Sequence, residues 1–168
     1  MDRRAALALI AAVPLAGCGY RLRQAPKFAF ERVRIAGNET TPVAAELRRA
    51  LQINGLGVIT STSAPGGAPA EVVLLVMTDQ RERAVVGQTA AGQVRELQLR
   101  TRFRFRLRTP ADRILIDDTE LLLERDLSFN ETQVLSKAAE EELLYRDMVN
   151  DIVQQVVRRL ASVPPLQG

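Results

Sequence analysis

Leu97-Gln98-Leu99-Arg100-Thr101-Arg102-Phe103-Arg104-Phe105-Arg106-Leu107-Arg108 alternates without a break between a mostly apolar row and a row of Gln and Arg. Successive side chains on a strand point to opposite faces, so period two sustained over this length specifies a β-strand with one face on a core and one toward water. Thr109-Pro110-Ala111-Asp112-Arg113 carries turn residues, and Ile114 to Leu127 reads as a long antiparallel partner. This hairpin is expected to be the longest part of the sheet.

Upstream, Phe28 to Ile35 alternates with a phase slip near its middle, reading as a strand that ends at Gly37-Asn38. Thr41-Pro42 has the form of an N-cap followed by proline at the first helical position. Val43, Leu47, Ala50 and Leu51 then fall on one helical face, and Asn54-Gly55 supplies the stop. Val58-Ile59-Thr60 is a short strand. Glu71 to Met77 is apolar on both faces, as expected of a central strand, and residues 81 to 89 turn polar and extend into an exposed hairpin. The Ser/Gly/Pro stretch from Thr60 to Pro69 is too short for a domain linker.

Downstream, Asn130 with Gln133 resembles a capping box and Ser136 offers a second start, placing a helix from 131–137 to about 161. Tyr145, Val149, Ile152, Val153, Val156 and Leu160 form its apolar stripe, and Val163-Pro164-Pro165 ends it. These elements predict an α+β fold: a mostly antiparallel sheet of about four strands with two helices packed on one face.

The chain has 168 residues, 46% hydrophobic and 26% charged, with no His, no Trp and one Cys. A Ser-His-Asp triad, a His-Cys zinc site and an intrachain disulfide are excluded by counting. A net charge of +3 spread along the sequence is too mild to imply a nucleic-acid partner. The first residues explain the lone Cys. Asp2-Arg3-Arg4 precedes an apolar run from Ala5 to Val13, which as a helix rises only about 14 Å, too short to span a membrane. Leu15-Ala16-Gly17-Cys18 then has the form of a lipoprotein box. Residues 1–17 read as a signal peptide and 18–168 as a single mature domain. Cys18 would carry a diacylglyceryl group and an N-acyl chain, and no other cofactor is expected. Gly19, rather than Asp, after the Cys points to the outer membrane.

Arg100, Arg102, Arg104, Arg106 and Arg108 share one strand face and could bind phosphates or an acidic partner, since guanidinium forks match such oxygens. The alternative is a solvated face balanced by acids. In a hairpin whose paired residue numbers sum to 222, Arg104 opposes Asp118, Arg102 opposes Glu120 and Gln98 opposes Glu124. Asp117-Asp118 and Glu140-Glu141-Glu142 are the carboxylate clusters. The first pair points to opposite strand faces and the second is a helix-start run, so neither suggests catalysis. No enzyme and no metal site are expected; in particular, no Gly-punctuated Asp loop points to Ca²⁺.

Three blocks carry a family resemblance: Cys18-Gly19-Tyr20-Arg21-Leu22-Arg23, then Gly92-Gln93-Val94-Arg95-Glu96-Leu97-Gln98-Leu99, then Glu124 to Lys137 with Leu144 to Leu160. In this order they resemble the LPS-assembly lipoprotein family LptE. The resemblance implies a lipid-anchored, non-enzymatic outer-membrane protein lodged in the lumen of the β-barrel LptD, assisting barrel assembly and lipopolysaccharide transport. It implies lipopolysaccharide contact through basic residues at the sheet tip and before the last helix. Lys137 matches the second position. The first falls on Ala90 here, leaving Arg95 or Arg83 to take its place. The alternative is a lipid-anchored scaffold or binding module for another anionic envelope ligand.

Overall fold

The computed structural model describes residues 26–61, 63, 67–129 and 134–166. The chain runs β1 (Arg32–Gly37), α1 (Pro42–Ile53), β2 (Gly57–Ile59), β3 (Val72–Gln88), β4 (Val94–Arg108), β5 (Ile114–Ser128) and α2 (Val134–Ala161). One sheet has the order β2-β1-β3-β4-β5. The α+β class is as expected, but the sheet has five strands rather than about four, and it is mixed. β3, β4 and β5 form an antiparallel meander, whereas β1 lies parallel to both β2 and β3. The reason is α1, which carries the chain back across the sheet so that β2 starts from the same end as β1.

Both helices cover the same face. Val43, Ala44, Leu47 and Leu51 of α1 share one buried cluster with Val149, Ile152, Val156 and Leu160 of α2. Beneath them lie Val33, Ile35, Val72, Leu74, Val76, Phe103, Phe105 and Leu107, so the inward rows of β1, β3 and β4 all face this layer. A second cluster of Leu97, Leu99, Leu127, Tyr145 and Met148 continues the core toward the β3–β4 turn. On the other face, Val73 and Leu75 are half-buried. Their register partners are Arg108 and Arg106, whose apolar stems can cover them.

One boundary differs from the sequence reading. β1 begins only at Arg32; Phe28 and Phe30 precede it in irregular chain, with Phe30 buried and tilted on Phe28 at 5.9 Å. The phase slip marks this change from packed coil to strand. Residues 81 to 88 continue β3 as the exposed arm of a hairpin with β4, as their polarity suggests. The capping box at Asn130 and Gln133 lies outside the described residues.

The β4–β5 register also differs. Arg108 pairs with Ile114, but two irregularities between Phe105 and Arg108 shift the register, so that Arg104 opposes Glu120 and Gln98 opposes Asp126. The shift is two residues, which preserves the face of every side chain, so the acids stay on the arginine side.

A bulge at Met77 organises the middle of β3. Val76 pairs with Phe105 and Thr78 with Arg104, leaving Met77 between them. Beyond it, Asp79, Arg81 and Arg83 oppose the buried Phe103, Thr101 and Leu99, and therefore face the helices. The β1–α1 turn docks at this bulge: Asn38 donates through its backbone N–H to Val76 O and through Nδ2 to Met77 O. Gly37 has φ +86°, and a Cβ there would stand 2.3 Å from Val76 O, so no other residue fits.

Candidate functional site

The open face of the sheet is built from the even-numbered row of β4. Each of its five arginines holds a carboxylate. Arg100 Nε lies 2.9 Å from Glu124 Oε1, and Arg102 Nη1 lies 2.6 Å from Glu120 Oε1 with Glu82 of β3 on its other side. Arg104 and Arg106 converge on Asp118, at 2.8 and 2.6 Å, and Arg108 pairs with Asp112 in the turn. Diagonal reach thus restores the Arg104–Asp118 and Arg102–Glu120 pairs that the sequence suggests, despite the shifted register.

Asp118 is the centre of this lattice. Hydrogen bonds from Arg104 and then Arg106 hold its carboxyl below the ordinary carboxylate range, and the same bond to Asp118 raises the Arg106 guanidinium. Among the described residues, the buried Arg108 Nε has no hydrogen-bond partner. The row is a salt-bridged lattice, and any anion reaching it competes with carboxylates already in place.

A second group of charges lies between β3 and the start of α2. Lys137 Nζ sits 2.8 Å from Glu140, Arg83 3.2 Å from Glu141 and Arg81 3.4 Å from Glu142, so three consecutive acids each hold one cation. Lys137 and Glu141 are one helical turn apart, which brings Lys137 to the same helix face as the Arg83 contact. Arg81 also stacks over the Tyr145 ring at 4.9 Å. Tyr145 donates its hydroxyl to Glu82 O at 2.7 Å, and burial, followed by the Glu141 charge, pushes its pKa up. Arg95 bonds Gln93 at the entry to β4, and no described bond joins it to Lys137 or Arg83. Cys18 and residues 1–17 lie outside the described residues.

Sequence reasoning misses Asp79, Arg81 and Glu82. Residues 78–83 are polar on both faces, so no periodicity shows which way each side chain points. Asp79 Oδ2 accepts from the backbone N–H groups of Val43 (2.9 Å) and Ala44 (3.2 Å), capping α1 from a strand in place of Thr41, whose hydroxyl instead donates to Asn38 O. Among the described residues, no group of three or more acids is placed to hold a metal ion, and no helix is long and apolar enough to cross a membrane.

A two-helix, five-strand domain whose polar groups are mostly engaged with one another has the make-up of a binding or assembly module. Comparison with known proteins specifies which one. The family model for lipopolysaccharide assembly, LptE, matches residues 30–160, and the chain belongs to this family. It is a non-enzymatic family concerned with lipopolysaccharide assembly. The chain is similar to an uncharacterized lipoprotein B from Nitrosomonas europaea, with 32% identity, a TM-score of 0.68 and coverage of 86% of this chain and 91% of that one. It shares its fold with the rare lipoprotein B from Shewanella oneidensis (22% identity, TM-score 0.60, covering 78% and 94%). The same holds for a minor lipoprotein from Acinetobacter baumannii (19% identity, TM-score 0.62, covering 84% and 100%). No curated protein matches the sequence.

Proposed function

We propose that this chain is an outer-membrane lipoprotein, anchored by acyl chains on Cys18, that lodges in the LptD barrel, supports its assembly and contacts lipopolysaccharide. The observation that carries this reading is the extent of the family match, from the buried Phe30 to the buried Leu160. The surface is consistent with it. A barrel lumen is polar, and a face of paired charges can dock there without stranding a bare charge. Lipopolysaccharide contact is assigned to Lys137 with Arg83 and Arg95. Phosphates would compete with Glu140 and Glu141 for the first two, and Lys137→Asp is expected to weaken lipopolysaccharide binding while the melting temperature holds.

The test is a mild-detergent pull-down of the tagged protein from outer membranes, with bound proteins identified by mass. Recovery of a large barrel at near-equal amount supports the reading. Lipidated protein recovered without a barrel overturns it in favour of a scaffold for another anionic envelope ligand.

A further inference from the structure

Seven arginines stand on the open face of the sheet in β1 and β4, and six of them hold a carboxylate: the five of β4, and Arg32, whose Nη2 is 2.7 Å from Glu71. Arg34 is the exception. Among the described residues it has no hydrogen bond or ion pair, and its register partners are Ile59 on β2 and Val73 on β3, both apolar. It lines a groove of about 740 Å³, within the size range of small-molecule clefts, at the end of the sheet away from the β3–β4 turn. Ile59, Val73, Pro69 and Pro110 give this groove apolar walls, and Ser61 adds a hydroxyl.

The walls are held by bonds that leave Arg34 out. Arg32 Nε donates to Pro69 O at 2.8 Å, fixing the chain that enters β3. Glu39 accepts from both the backbone N–H and the hydroxyl of Ser61, at 2.9 and 2.8 Å, fixing the chain that leaves β2. The nearby acids are thus committed to the walls, while the guanidinium keeps its full donor set.

We propose that this groove binds a monoanionic amphiphile, with a carboxylate on Arg34 and a short hydrocarbon body against Ile59, Val73 and the two prolines. One planar guanidinium offers a bidentate seat for one carboxylate. With no second cation among the described residues that line the groove, a phosphate monoester would keep charge unmatched. The apolar walls then favour a hydrocarbon tail over a purely polar acid. This site is separate from both the β4 arginine lattice and the Lys137 group, and does not rest on the barrel partner.

The experiment follows the methyl NMR signals of Ile59 and Val73 in the full chain during titration with octanoate, 1-octanol and octyl phosphate. Octanoate is expected to give saturable shifts confined to these methyls, with 1-octanol about tenfold weaker or worse. Arg34→Gln is expected to weaken octanoate about tenfold while leaving 1-octanol and the melting temperature unchanged. Arg34→Lys, which keeps the charge and loses the fork, should fall between, and it serves in place of Arg34→Gln if that variant melts early. Absence of saturable shifts, equal binding of 1-octanol, or unchanged octanoate binding in the Arg34 variants overturns the proposal. Tighter binding of octyl phosphate overturns the carboxylate assignment.

Discussion

At the scale of single residues, Asp118 shows how one carboxylate can organise a charged face. Its lowered pKa means that the folded state favours the ionised form, so its contribution is fully present above the ordinary carboxylate pKa of about 3.9. That contribution fades as pH falls through the lower, folded value. Asp118→Asn is expected to reduce the melting temperature at about pH 7, with a smaller gap to the parent at about pH 2. Thermal melts at the two pH values check the sign; a gap that widens on acidification would contradict it. The pairs around it are open to solvent and screened, so each contributes little by itself. Asp79 is a different case, because its carboxylate closes two helix-end N–H groups from a neighbouring element. Asp79→Ala should cost about 1 kcal/mol, lowering the melting temperature by about 3 °C, since a lost cap leaves those donors unpaired. Differential scanning calorimetry would measure it.

Among the elements, β4 and α2 were legible in the sequence because each has one period and one buried face. The twelve-residue alternation placed Leu97, Leu99, Phe103, Phe105 and Leu107 inward, and the stripe from Tyr145 to Leu160 is buried as written. β3 was only half legible. Its first residues, Val72 to Val76, are apolar and pack under the helices, but beyond the bulge both of its faces are polar, and polarity without period carries no direction. The pairing of β1 with β2 and β3 was hidden for another reason: a three-residue strand has too few side chains to signal its neighbours. The register of β4 on β5 was set by local irregularities near the turn that no residue pattern announces. Of the candidate sites, the carboxylate partners of Arg102 and Arg104 were readable from charge and face alone, whereas the holding of Arg83 by Glu141 depends on how α2 crosses β3. At this scale the decisive test is Ile152→Asp. An unpaired charge between helix and sheet should cost about 3–5 kcal/mol, read as a lowered urea midpoint. An unchanged midpoint would remove α2 from the core.

For the whole molecule, the helix-covered face supplies the stability, and the open face and the start of α2 present the chemistry. Anchoring belongs to this scale too. Cys18→Ala is expected to leave an unprocessed or soluble form, seen as loss of the protein from the membrane fraction; unchanged fractionation would refute the lipid anchor. The bulge in β3 has a genetic counterpart. Met77 is the extra residue that lets the row facing the helices pass from even numbers to odd, so an in-frame loss of its codon would join Val76 to Thr78 in regular alternation and leave Asp79, Arg81 and Arg83 on the helix side. That deletion would straighten the strand, whereas the loss of one residue from the regular stretch beyond it, such as Gln80, would turn every following side chain of β3 over. Reading frames in this family should tolerate the loss of the triplet at the bulge more readily than the loss of one from the paired residues that follow it.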